Sequence, residues 1–485
     1  MNAEGTPKLH RSYTLANPRV PAAYCLLPIA CCLLPKKVYF CALKSFKMKK
    51  ILALWLCVLL AGGLAAQDTA KTYWKNGHLM SIGVQKKGVE QGHWVYYHNN
   101  GAKWTEGDYR DGIKVGVWKV WYDDGKLGQE YHADNGPFKS WFQSGKVESE
   151  GQFKDGQRDG EWVFYHPNSQ LFKKVTYVGD SVHGHVVEYY DNGEKYFEGT
   201  YDMGLLEGDA TWWNHGGKKD MEGKLVHGLQ QGLWKFYDSE GRLGSEGNFD
   251  NGLQNGTWTY YYENGKVWRK GDYKNGKREG VWKAWFEDGK LQREGSFKND
   301  KENGLWIAYF YNGNISDKGT FKDGVMDGYW EGWRDNGYKK YEYNYKNGEL
   351  NGLCTQFWEE TGKMQRQGKY VNNRKNGVWN EYAQNGHILS KGKYANDRKE
   401  GKWVFYNMYE KVVREQNFVH DVQEGAFTEY YDNGVKHTEG AFKNRVRHGK
   451  WSSWSPQGKL QYSAIFENGH KVKEVYAADP KKPAF

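Results

Sequence analysis

The chain is 485 residues long, 38% hydrophobic and 16% aromatic, with 61 glycines against 10 prolines and a formal net charge of +10. That much aromatic surface excludes a disordered chain, and glycine so far in excess of proline reads as periodic turn chemistry rather than a linker. Nor does the charge make a nucleic-acid binder: residues 1–66 hold nine Lys or Arg and one acid, leaving 69 − 9 = 60 bases and 59 − 1 = 58 acids, a balance of +2 with both signs intermixed rather than clustered against phosphates.

In chain order, residues 1–47, with their stretch Cys25-Leu26-Leu27-Pro28, precede a plausible start at Met48. They read as disordered upstream sequence translated from a mistaken start. Met48-Lys49-Lys50, the apolar run Ile51 to Leu60 and the small residues up to Ala66 form a signal peptide over 48–66, too short for a membrane span. Cys57 lies inside the apolar run, which disfavours a lipoprotein anchor. The expectation is an exported protein beginning near Gln67, in the periplasm, at the outer-membrane surface or outside the cell. Five of the six cysteines fall in residues 1–66, so the mature chain keeps Cys354 and has neither an intrachain disulfide nor a cysteine zinc site.

From 67 to 476 a glycine-anchored block returns. Sixteen anchors run from Gly92 to Gly449, spaced by 24 residues except for one step of 20 (Gly116 to Gly136) and one of 25 (Gly352 to Gly377). Such a period means a repeat array, each unit burying its apolar surface against its neighbours. Counting each anchor as position zero, position five is aromatic in all sixteen units and position two is Trp in eleven. An odd separation puts these rows on opposite faces of a strand. The pairs Asn-Gly or Asp-Gly at positions eight and nine, as in Asn264-Gly265, suit a two-residue type I′ hairpin. That turn sets Trp258 opposite Gly271 and Gly256 opposite Tyr273, with each large ring lying over the glycine of its own hairpin partner. The 25-residue step inserts its extra residue at the hairpin tip, in Glu359-Glu360-Thr361-Gly362, and the 20-residue step deletes the outer loop around Asn135. The expectation is an all-β, elongated, twisted antiparallel sheet of about 32 strands, roughly 150 Å long, followed by a disordered tail over 477–485.

The motif Gly271-Asp272-Tyr273-Lys274-Asn275-Gly276-Lys277-Arg278-Glu279-Gly280-Val281-Trp282, with Glu294-Gly295-Ser296-Phe297-Lys298 and Glu439-Gly440-Ala441-Phe442-Lys443, resembles the MORN repeat (membrane occupation and recognition nexus). The closest resemblance is to its bacterial variant of antitoxin-type repeat proteins, and it covers about Tyr73 to Glu467. It implies a β-hairpin array and roles in scaffolding or membrane apposition.

Catalytic chemistry is not visible. No nucleophile motif, phosphate loop or zinc-hydrolase helix occurs. His93, His98, His132, His166, His183, His185 and His227 read as hydrated loop histidines, and Cys354 as a packing residue at a tryptophan position. No cofactor or metal is expected. The aromatic rows remain: a single-layer sheet leaves one face partly open, and Tyr237, Tyr261, Trp285, Tyr309 and Trp333 form the candidate binding strip. The sequence thus points to a non-catalytic scaffold for proteins at the bacterial cell envelope. Binding of cell-wall glycan or a membrane surface is an alternative, since Trp258-Thr259-Tyr260-Tyr261-Tyr262 resembles the Trp-Tyr-Tyr pattern of cell-wall-binding repeats. An antitoxin-type partner is a second alternative, if the leader is not functional.

Overall fold

In the unit anchored at Gly256, strand Leu253–Tyr261 pairs antiparallel with Val267–Lys274, which pairs in turn with Lys277–Trp285 of the next unit. The arrangement repeats from Asp68–Tyr73 to His470–Ala477. A computed structural model describes residues 68–478, and these form one long, open antiparallel sheet of 39 strands without a helix. The surplus over 32 has three sources. Asp68–Tyr73 and Leu79–Lys86 add a hairpin before Gly92, and His470–Ala477 adds a closing strand. Four two-residue pieces, such as Gln157–Arg158, arise where a strand breaks at the anchor. The assignments for residues 1–66, and for 479–485 of the tail, lie outside the described residues; Ala477 ends the last strand.

The expected register is found: Trp234 lies opposite Gly247, Trp258 opposite Gly271 and Gly280 opposite Phe297. The expected turn is not. Gly265 N–H donates to Tyr262 O at 2.9 Å and Tyr262 N–H to Lys266 O at 2.8 Å. Gly265 has φ +80° whereas Asn264 is absent from the left-handed residues. The tip is therefore a type I turn closed by a left-handed glycine, a three-residue loop with a G1 bulge. The bulge, seen as a register shift between Tyr260 and Tyr261, absorbs the extra residue and restores the register of a two-residue turn. The type I′ turn sits at the other end of the unit, where Asn275 (φ 50°) and Gly276 (φ 76°) join Lys274 to Lys277. Asn264 instead braces the tip. Its Oδ1 accepts from Lys266 N–H at 2.9 Å and its Nδ2 donates to Glu287 O of the next tip at 3.2 Å. The insertion near Thr361 widens the tip, with Gly362 N–H donating to Trp358 O. The 20-residue step shortens its strands to Leu127–His132 and Gly136–Trp141. Both length changes fall where expected.

The tip bulge leaves the position-five carbonyl free, and the side chain at position six of the preceding unit reaches it. Tyr262 Oη donates to Trp285 O at 2.7 Å, His98 Nε2 to Trp121 O at 3.1 Å and His166 Nε2 to Tyr189 O at 2.8 Å. His98 and His166 are thus not hydrated loop residues. They satisfy backbone groups that the bulge would otherwise strand.

The anchor glycine makes a second bulge. Gly256 has φ +74°, and opposite it the register skips from Gly247–Trp258 to Phe249–Gln254, leaving Asn248 unpaired. Trp258 Nε1 takes the Asn248 carbonyl at 3.0 Å. Every position-two tryptophan except Trp118 makes the equivalent bond ten residues back. The indole therefore lies on the glycine of the preceding hairpin, not on that of its own hairpin as expected. A Cβ on Gly247 would stand 2.3 Å from Trp258 Cδ2. The free carbonyl, which exists only on the bulged side, holds ten of the eleven indoles there, while Trp118 lies on Gly107 without that bond. Each of the eleven tryptophans has a glycine at this seat. Where the tryptophan is replaced the glycine mostly goes too: Val186 has Val175, Cys354 has Tyr343, Phe427 has Gln416 and Phe138 has Tyr131. Ala210 keeps Gly199, and Phe197 covers it.

Position-seventeen rings stand edge-on between successive indoles, with Trp258–Tyr273 at 6.0 Å, Tyr273–Trp282 at 5.2 Å, Trp282–Phe297 at 6.1 Å and Phe297–Trp306 at 5.1 Å between centroids. Cations cap this row, Arg278 at 4.0 Å over Phe297 and Lys399 at 4.5 Å over Trp403. The series is closed at both ends by alanine. Ala70 takes the tryptophan position in the first hairpin, which has no seat before it, and Ala464 the seat position in the last hairpin, which has no tryptophan after it. With no indole there left without a seat and no seat left without an indole, the two ends act as the terminal caps that repeat arrays require.

Candidate functional site

With the tryptophans buried on one face, the other face carries positions one, three and five. The structure brings Tyr237, Tyr261, Trp285, Tyr309 and Trp333 into one row there, all half-buried. Each tyrosine is held by a glutamate of the hairpin before it: Tyr237 Oη donates to Glu222 at 2.5 Å, Tyr261 to Glu246 at 2.6 Å and Tyr309 to Glu294 at 3.1 Å. Lysines hold two of these carboxylates as well, Lys283 of the adjacent strand Glu294 at 2.9 Å and Lys219 of the same strand Glu222 at 2.6 Å. The hydrogen bond from Lys283 keeps Glu294 below the usual carboxylate range. These acids are committed to the sheet.

Burial first, and then the hydrogen bond to Glu246, push the Tyr261 hydroxyl up to about 12; burial foremost does the same for Tyr201 and Tyr394. A tyrosine whose folded pKa is raised contributes stability that is whole below its unfolded pKa of about 10 and is lost as pH climbs through the folded value. Stability measured by urea unfolding is therefore expected to fall between about pH 10 and 12. The fall should be shallower in Tyr261→Phe, and an equal slope in the two proteins would contradict it.

His183 and His185, on either side of the bulge at Gly184, part company: His183 Nδ1 lies 3.3 Å from Asp202 and His185 Nε2 3.4 Å from Glu198. Cys354 is buried, and burial raises its thiol pKa. Where the 20-residue step omits the outer turn, a cavity of about 480 Å³ opens beside Tyr131, His132, Phe138, Lys139 and Glu150. Its charges are already paired, Lys139 with Glu150 at 3.0 Å and Lys119 with Glu130 at 3.3 Å.

One feature of this face was missed by sequence reasoning. The residue directly after the anchor is exposed and apolar through the middle of the array: Leu233, Val281, Leu305, Tyr329, Leu353 and Val378 are 43–55% exposed. Thr257 is the one polar member of that run. Reading the residue beside each anchor in turn would have found it.

Two bulges per unit, stacked turns and indoles seated on glycines define a single-layer β-hairpin repeat protein. The model of the family described as MORN repeat variant matches residues 114–135, 134–155, 158–178, 182–203, 254–275, 278–299, 302–323, 375–396, 423–444 and 447–468. The chain is a MORN-repeat protein, and MORN repeats suggest a repeat-based scaffold for protein interaction. No curated protein matches the sequence. Among solved structures, the chain is similar to the crystal structures of TcdB2-TccC3-TEV, at 10% identity, and TcdB2-TccC3-Cdc42, at 12%. A third is the Tc holotoxin pore of Photorhabdus luminescens, at 11%. Each likeness covers 84% of this chain, with TM-scores of 0.13, 0.13 and 0.14. The chain spans about a quarter of those proteins (23%, 26% and 23%).

Proposed function

We propose that the chain is an exported, non-catalytic scaffold that binds proteins at a bacterial cell envelope, along the face that carries Tyr237, Tyr261, Trp285, Tyr309 and Trp333. The observation that carries this reading is the division of labour between the two faces. One is closed by its indole row, with Trp258 and Trp234 each 2% exposed; the other keeps half-buried rings and exposed aliphatic side chains among mutually paired charges. Such a surface suits many shallow contacts along its length. The basic, apolar and small-residue stretches of 48–66 support export.

Glycan binding is the second reading, favoured by Trp285 and Trp333, whose half-buried rings carry no cation among the described residues. A pull-down with the mature protein, against purified peptidoglycan and against envelope proteins, separates the two. Capture of envelope proteins with no retention on peptidoglycan is expected. Retention on peptidoglycan that is lost in a still-folded Tyr261→Ala, Trp285→Ala variant would overturn the preference. N-terminal sequencing of the natural product is expected to begin near Gln67; an intact residue 1 in a cytosolic fraction would favour the antitoxin-type reading.

A further inference from the structure

The exposed residues Leu233, Val281, Leu305, Tyr329, Leu353 and Val378 occupy six of seven successive units of one face, Thr257 taking the other, with units two strands apart over roughly 60 Å of sheet. Each member is about half exposed. Half-exposed apolar side chains lined up in this way, alternating with Asn248, Ser296, Thr320, Asn344, Lys369 and Lys393 on the strands between, suit an interface. The charges at the two ends of this stripe say what covers it.

The same position continues the row in both directions. Four units before Leu305 it holds Asp209, and six before it Glu161; four units after, it holds Lys402, and six after, Lys450. All four are exposed. The row therefore runs acid, apolar, base. On the neighbouring strands Asp272, paired with Thr257, and Lys369, paired with Leu353, lie two units either side of Thr320, which is paired with Leu305, whereas Lys224 is paired with Asp209.

We propose that two copies of this chain pack face to face through the stripe, antiparallel along the sheet, about a twofold axis at Leu305. The inference rests on the scaffold reading and names one partner for that face. A twofold contact uses one self-complementary patch. Here the axis sets Leu305 on Leu305 of the second copy, Val281 on its Tyr329 and Leu233 on its Val378. It also sets Asp209 on Lys402 of the second copy, and the reverse, with Glu161 on Lys450 farther out. A parallel arrangement stacks acid on acid and base on base, which such charges oppose. Within one chain, Lys402 pairs with Glu415 at 2.7 Å and Glu161 with Lys174 at 2.8 Å. These are solvent-exposed pairs of small worth and leave the lysine and the carboxylate able to bridge outward. Since long sheets twist, contact is closest near the axis, and the outer charges fix direction more than they add affinity.

Sedimentation velocity on the full chain over a dilution series tests this. A dimer that dissociates on dilution is expected, and Leu305→Glu, which sets two carboxylates against each other on the axis, is expected to leave a monomer with an unchanged strand spectrum. Asp209→Lys is expected to weaken the dimer about tenfold or more through repeated Lys–Lys contacts, and Lys402→Asp added to it is expected to restore the association. A monomer at every concentration would overturn the proposal, as would a dimer indifferent to Leu305→Glu or a charge swap without restoration. Capture of envelope proteins by the Leu305→Glu variant reports on the scaffold reading separately, so the two fail independently.

Discussion

Replacing Gly247 by alanine is expected to destabilise its hairpin by about 3 kcal/mol, the upper part of the range for overpacking. The added Cβ would stand 2.3 Å from Trp258 Cδ2 and 2.4 Å from its Cγ, and the indole cannot retreat without giving up the Asn248 carbonyl. Gly244 is the internal control. It lies in the same strand, Leu243–Asp250, yet its Cβ would meet nothing closer than Phe236 O at 3.6 Å. Gly244→Ala should change stability by no more than about 0.5 kcal/mol. Hydrogen exchange in the strands Leu243–Asp250 and Leu253–Tyr261 reads the difference locally, as a chain of nearest-neighbour units requires. Since the clash is with one side chain, the pair Gly247→Ala, Trp258→Ala should cost less than the sum of its parts. Additivity would mean that glycine is needed there for another reason.

Trp258→Ala is expected to cost about 3–5 kcal/mol, as for a fully buried aromatic. Trp258 is 2% exposed, stands at 6.0 Å from Tyr273 in a T-shaped contact and satisfies the Asn248 carbonyl. Truncation opens a cavity and leaves a backbone acceptor unpaired. Trp285→Ala, on the opposite face, removes a half-buried ring and should cost about half as much, roughly 1–2 kcal/mol. Trp258→Phe separates packing from hydrogen bonding: keeping a ring while losing the N–H should cost about 1–2 kcal/mol. A Phe variant as stable as the parent would show that the bulge carbonyl finds water instead.

The period, the hairpin register and the opposition of the two aromatic rows were legible in the sequence because each is a matter of counting. The turn types were not, because Asn264-Gly265 and Asn275-Gly276 are the same dipeptide within one unit. What separates them is context: Asn264 spends its side chain on Lys266 and Glu287 and keeps a right-handed backbone, whereas Asn275 turns left-handed with Gly276. The seat of each tryptophan was hidden for a related reason. Trp258 is in register with both Gly247 and Gly271, and it lies on Gly247, beside a carbonyl freed by a bulge that residue spacing does not show. On the candidate face, the position-five strip was visible because every unit repeats it. The stripe from Leu233 to Val378 was passed over because it differs between units: charged at the ends, apolar in the middle. Repeats reveal the fold in what they share and the surface in what they vary.

Because each indole rests on the hairpin before it, the joint between units points one way. A hairpin emerging late in translation finds its glycine seat already in place and carries the tryptophan that covers it. The seat of each indole is made before the indole, so the tryptophan row can close in the order of synthesis, with few non-local pairings to find. The same polarity governs growth of the gene. A duplicated segment of 24 residues arrives with a tryptophan for the seat behind it and a glycine for the indole ahead, and the array lengthens by a unit with no compensating change on either side.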